Sequence, residues 1–114
     1  MSIQLPKPIA SYFAADKQGN AADVANCFLD TAFVRDEGHT YLGRDEIRQW
    51  KEAASTKYKY TATPFNVATE GARTVVTSHL SGNFPGSPLD LNYAFVLKGD
   101  LIEQLEITLL GGRA

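Results

Sequence analysis

Apolar and polar positions keep one rhythm up to about residue 57 and another beyond it, and the two predict different structures. In the first stretch the rhythm is helical. Ile9, Tyr12, Phe13 and Asp16 recur at the spacing of one helix face. Pro8 suits the first turn of that helix, and Gly19-Asn20 suits its end. Asn20 can cap a second helix running through Asn26 to about Asp30, with Val24, Ala25, Phe28 and Leu29 as its apolar positions. A short strand is expected from Ala32 to Asp36, then a turn and a few extended residues in "EGHTYLG". A third helix is expected from about Arg44 to Ala54, because Ile47, Trp50 and Ala54 lie three and four apart and line one face.

The second stretch alternates. "KYKYTATPFNVATE" is rich in Thr and Tyr, which favour strands, and Pro64 within it calls for a sheet edge or a bulge. "EGA" is a turn, Arg73 to Ser81 a strand, and "GNFPGSP" a loop. In "LDLNYAFVLK" Leu89, Leu91, Tyr93, Phe95 and Leu97 face one way, and Asp90, Asn92, Ala94, Val96 and Lys98 the other. "KGD" closes a hairpin, and Leu101 to Leu110 returns with Leu105, Ile107 and Leu109 on one face. Helices followed by an antiparallel run of strands predict an α+β fold, with three N-terminal helices packed into a strongly curved, mostly antiparallel sheet. A sheet curled around helices makes a cone whose open end can hold a small molecule.

Composition narrows the setting. The chain has 114 residues, 44% hydrophobic and 21% charged, which fits one soluble globular domain spanning residues 1–114. A net charge of −2 with both signs spread along the chain argues against a nucleic-acid or membrane surface as partner. The lone Cys27 excludes an internal disulfide and reads as a small buried hydrophobe. "MSIQLPKPIASYF" lacks the apolar core of a signal peptide, and no apolar run approaches the ~20 residues of a membrane span, so a cytoplasmic, reducing location is expected.

The order of elements, together with "FLDTAFVRD" entering the first strand, the Gly43-to-Ile47 spacing in "LGRDEIRQW" and the closing hairpin "LNYAFVLKGDLIEQLEI", resembles the nuclear-transport-factor-2-like superfamily. Its SnoaL-like group and its ketosteroid isomerases look most similar. The resemblance covers almost the whole chain, and it implies a cone-shaped, cystatin-like α+β barrel. In ketosteroid isomerases a Tyr in the first helix donates to the forming enolate oxygen, and an Asp at the end of the first strand shuttles the proton. Laid along this chain without a gap, these positions fall on Tyr12 and Asp36. The isomerases' second, protonated Asp falls on Tyr93, a departure that puts steroid isomerisation itself in doubt, although a phenol can also donate a hydrogen bond. Dehydratases of this fold use His with Asp and Tyr, which brings in His79.

Each candidate has a plain structural reading beside the chemical one. Asp36 in "RDEG" is a base at the mouth of a pocket or a solvated turn residue. It shares a strand face with Val34, opposite Phe33, Arg35 and Glu37; period does not say which face looks inward, and the resemblance implies that Asp36 does. Tyr12 is a pocket hydroxyl or a core ring, and His79 a catalytic group or a satisfied sheet histidine. The apolar residues expected around a ligand are Phe13, Phe28, Trp50, Leu91 and Phe95. The two histidines lack clustered metal spacing, so no metal and no cofactor is expected.

If Asp36, Tyr12 and Tyr93 converge, the arrangement suits proton abstraction beside a carbonyl, with phenols as donors to the oxyanion. The expected function is thus a small enzyme without cofactor (isomerase, cyclase or dehydratase) acting on an apolar carbonyl compound. A non-catalytic ligand-binding domain and a protein-interaction module of the same fold stand beside it, since the scaffold does not choose. Val96, Ile102 and Leu110 look like extra apolar residues on the outer sheet face and point to a homodimer through it.

Overall fold

The computed structural model describes residues 4–109. Three helices, α1 (Lys7–Lys17), α2 (Ala21–Asn26) and α3 (Gly43–Lys57), are threaded among six strands: β1 (Phe28–Asp36), β2 (His39–Leu42), β3 (Tyr60–Glu70), β4 (Arg73–Gly82), β5 (Leu89–Lys98) and β6 (Leu101–Leu109). The strands form one sheet in the order β2-β1-β6-β5-β4-β3, antiparallel throughout except where β1 runs parallel to β6. This is the α+β cone that the two rhythms predict, with the helices on the concave side. No helix among the described residues is long and apolar enough to cross a membrane.

Local chemistry accounts for most boundaries. Helix α1 starts on a proline and buries Ile9, Tyr12, Phe13 and Asp16, the stripe read from the sequence. The Asn20 side chain accepts the Asp23 N–H at 3.1 Å and caps α2. Helix α2 nevertheless ends at Asn26, not near Asp30. From Cys27 onward the backbone is claimed by the sheet: the Ile102 N–H donates to the Cys27 carbonyl at 2.8 Å, and Phe28 pairs with Ile102. Phe28 and Leu29 therefore belong to β1, which is 9 residues long and starts before the expected Ala32. Helix α3 opens with the Glu46 carboxylate accepting the Leu42 N–H at 2.8 Å and continues to Lys57, almost a turn past Ala54. Pro64 meets both conditions set for it, since β3 is an edge strand and carries an irregularity between Pro64 and Asn66.

The core lies between the helices and the concave face. Ile9, Tyr12, Phe28, Val34, Ile47, Val76, Phe95, Ile102 and Leu105 are all fully buried there. Ile102 thereby corrects one expectation. A register irregularity between Val96 and Leu97 turns Ile102 inward, against Leu97 and Phe28, and away from the outer face. Leu110 lies outside the described residues.

Candidate functional site

The position of Asp36 follows from a tight turn. Glu37 and Gly38 have φ of 54° and 80°, the paired positive values of a two-residue hairpin, and Asp36 and His39 close it. With the turn fixed, alternation sets the face: Val34 is fully buried on the concave side, and Asp36 follows it two residues later. Across the sheet Asp36 is in register with Ile107, and Ile107 with Tyr93. Strands lie about 4.8 Å apart, so the Asp36 and Tyr93 backbones stand about 10 Å apart across the concave face.

Both side chains line a cavity of about 770 Å³, within the roughly 300–1,000 Å³ usual for small-molecule sites. Its walls are mainly apolar, with Leu80, Phe84, Leu89, Leu91 and Ile107 among them. The Trp50 indole N–H donates to Asp36 Oδ2 at 3.0 Å and so orients the carboxylate. Trp50 is itself stacked on Tyr41, with ring centres 5.9 Å apart. Burial pushes the Asp36 carboxyl above its ordinary value; the Trp50 hydrogen bond opposes this, Glu37 adds to it, and Lys51 and His39 work against it. Burial is also the main cause that raises the Tyr93 phenol, with the Asp16 and Asp36 charges adding, so Tyr93 stays protonated and able to donate.

A second polar group forms the cavity floor. The Lys51 ammonium donates to Asp16 Oδ1 at 2.9 Å and to the Tyr60 hydroxyl oxygen at 3.2 Å, and the Tyr60 hydroxyl donates to Asp16 Oδ1 at 2.7 Å. Lys51 and Tyr60 line the cavity, whereas Asp16 is buried behind them on α1. Burial, and next the Asp16 charge, hold the Tyr60 phenol well above its usual range. Sequence reasoning missed this cluster. Its one visible signal is Asp16, a carboxylate at the fourth position of an apolar helix stripe, where a buried charge requires a partner.

The structure divides the residues expected at the site. Asp36, Tyr93, Trp50 and Leu91 line the cavity. Tyr12 does not: it is fully buried below the floor, its ring edge-on to Phe13, Phe28, Tyr93 and Phe95, and Lys51 Nζ stands 5.4 Å from its ring centre. Its hydroxyl is buried without a partner among the described residues. The position expected to supply an oxyanion donor is thus a core ring, pressed onto the sheet by the stripe that also buries Ile9. Phe13, Phe28 and Phe95 are likewise core and not lining: α1 turns Phe13 onto the sheet, and β1 and β5 send Phe28 and Phe95 beneath the helices. His79 is on the opposite face. Its side chain is 51% exposed and its Nδ1 is 2.8 Å from Asp90 Oδ1 on the neighbouring strand, so it is removed from the cavity set. Among the described residues no three His, Cys, Asp or Glu side chains gather as metal ligands.

No protein-family model matches the chain, and no curated protein matches it. Solved structures do. A Sinorhizobium meliloti protein, provisionally described as a polyketide cyclase, is 36% identical over 91% of this chain and 95% of its own, with a TM-score of 0.86. A Catenulispora acidiphila protein of ketosteroid-isomerase-like fold, in complex with trimethylamine, is 18% identical over 92% of this chain and 86% of its own, with a TM-score of 0.83. A nuclear-transport-factor-2-like protein of unknown function from Cytophaga hutchinsonii is 14% identical over 96% and 94%, with a TM-score of 0.73. The last two are similar in fold alone, whereas the first is similar in sequence along nearly its whole length.

Proposed function

The chain belongs to the nuclear-transport-factor-2-like superfamily, among its SnoaL-like and polyketide-cyclase-like members, and from that premise we propose that the cone takes up an apolar carbonyl compound on which Asp36 moves a proton. The reaction is an isomerisation, cyclisation or dehydration. The observation that carries this reading is the Asp36 carboxylate, oriented by the Trp50 N–H in an apolar cavity and raised by burial toward the range of a working base. Such a carboxylate removes a proton from carbon and returns it elsewhere without leaving the site. Proton transfer of this kind asks for no cofactor. Tyr93, held protonated on the same concave face, is a donor for the oxygen that gains charge.

A simple ketone tests this. In deuterated water the protein accelerates exchange of the acidic C–H protons of 2-tetralone, followed by NMR. Asp36→Asn slows that exchange by about 10²–10⁴-fold, the usual contribution of a positioned general base. Equal exchange rates for the two proteins overturn the base assignment.

One observation favours a second reading. Trp50 already occupies Asp36 Oδ2, so the carboxylate can serve to orient a ligand in a binding protein that does no chemistry. In that case an apolar ligand raises the melting temperature as much in the Asp36→Asn protein as in the parent.

A further inference from the structure

The floor cluster sits in the cavity assigned to Asp36 and adds a substrate class to that reading, on which it rests. Lys51 is 5% exposed, yet it belongs to the cavity lining, and its partners are unequal. An ammonium has three donors. One goes to Asp16 Oδ1 at 2.9 Å and one to the Tyr60 hydroxyl oxygen at 3.2 Å. The third has no oxygen acceptor among the described residues; Nζ lies 4.3 Å from the centre of the Trp50 ring, whose N–H holds Asp36. Tyr60 has committed its only proton to Asp16 Oδ1, so it offers nothing to an incoming oxygen. Lys51 is therefore the one member of the cluster with a donor left for a ligand. A purely structural ion pair gains nothing from opening onto a cavity, where exposure to water weakens it.

The geometry points to Lys51 as the cation that receives the ligand's negatively charged oxygen, and hence to substrates with an acidic oxygen on an apolar ring system: enols, phenols or enolisable ketones. Trp50 and Lys51 are adjacent in α3, so one helix supplies both the hydrogen bond to the base and a positive charge in the same cavity. For an enolisable ketone the step balances within the ligand and Asp36. The carboxylate takes the proton from carbon, the C–H electron pair becomes the C=C bond, and the carbonyl π pair moves onto oxygen beside Lys51. Return of the proton from Asp36 to the same carbon restores the ketone with that hydrogen exchanged; where a C=C bond adjoins this carbon, return to the far end of the dienolate restores the carbonyl and shifts the double bond into conjugation. This adds a positive charge on α3 to the Tyr93 hydrogen bond from β5, and takes the stabilisation of the oxyanion away from the buried Tyr12 hydroxyl.

The test uses 2-naphthol, whose ionised form absorbs at longer wavelength, and 2-methoxynaphthalene as its non-ionising counterpart. The parent protein binds naphthol as the naphtholate at a pH where the free probe is neutral. Lys51→Met loses that absorption band and weakens naphthol binding by about tenfold, the worth of one charge-assisted hydrogen bond, while methoxynaphthalene binds both proteins alike. Because Lys51→Met leaves Asp16 buried and unpaired, Asp16→Asn/Lys51→Met is measured beside it and gives the same result. Asp36→Asn keeps the naphtholate band, since removal of a like charge favours the anion. A folded Lys51 variant that still binds naphtholate overturns the inference, as does a parent protein that binds the probe only as neutral naphthol. Loss of the band in Asp36→Asn but not in Lys51→Met also overturns it. Failure of the Asp36 reading registers separately, as ketone exchange indifferent to Asp36→Asn.

Discussion

At the scale of single residues, Asp36 is a burden on the fold as well as the candidate base. Burial raises its carboxyl above the ordinary 3.8, so between those two values the folded chain binds more protons than the unfolded one. Its contribution to stability is therefore largest in acid and is lost as pH rises through the raised value. Asp36→Asn keeps an oxygen for the Trp50 N–H and removes the buried charge. Thermal unfolding should show the Asn protein to be the more stable at pH 7, with the gap narrowing as pH falls and closing below the ordinary carboxylate range; a less stable Asn protein at pH 7 contradicts the desolvation account. Asp36 was legible in the sequence because the resemblance placed it at the inward end of the first strand; alternation put it on the face of Val34 without saying which face looked in. Lys51 was not, because a lysine beside a tryptophan on a helix reads as solvated. What buries it is Asp16, 35 residues away, and only the packing of α1 on α3 and the sheet brings the two together.

At the scale of elements, the cavity depends on how the segment between β4 and β5 is anchored. Phe84 and Pro85 line the cavity, and Phe84 packs edge-on against Tyr58 with ring centres 6.3 Å apart. Four hydrogen bonds tie this segment down: Asn83 N–H to the Lys59 carbonyl at 3.0 Å, Lys59 N–H to Asn83 Oδ1 at 2.9 Å, Gly82 N–H to Ser87 Oγ at 2.9 Å, and Ser87 N–H to the Phe84 carbonyl at 3.2 Å. Gly82 lies so close to the Lys59 carbonyl and the Tyr60 backbone that a β-carbon there has no room. Gly82→Ala should destabilise the protein by about 1–3 kcal/mol, read by urea unfolding, and weaken ligand binding by displacing Phe84. An alanine variant as stable as the parent would show that the contact yields freely. The sequence marked this loop by its Gly, Pro and Ser content but could not show a close approach to a residue 23 positions away. The end of α2 was misread for a related reason. Phe28 fits the apolar spacing of α2, and the competing partner, Ile102 in β6, lies far beyond any local window.

At the scale of the whole molecule, the convex face remains open to a partner. Ile102 is in the core, so of the described residues first assigned to that face, Val96 is left, joined by Phe33 around a shallow concavity of about 190 Å³ with Arg35, Arg73, Ala94 and Glu106. Arg73 and Glu106 are paired there at 3.5 Å, both substantially exposed. We propose a homodimer through this face: sedimentation velocity at micromolar concentration should give the mass of two chains, and Val96→Glu should halve it; a parent protein that sediments as one chain removes the proposal. Five of the six strands were readable in the sequence, with β2 visible only as a few extended residues after a turn, and the cone came from the expected curl of the sheet and the resemblance; the sheet order was not readable, because no local signal tells β1 to lie beside β6. That single parallel pairing also governs how the protein comes into being. Asp36 is made in the first third of the chain, yet its neighbour Ile107 comes from the final strand, and Tyr93 reaches the same row only through that strand. During synthesis the helices and the β3–β5 meander can assemble as they emerge, while the carboxylate waits on the β1–β2 hairpin with the other edge of β1 unpaired. The cavity closes around it last, so a nascent or truncated chain can be largely folded and still have no site.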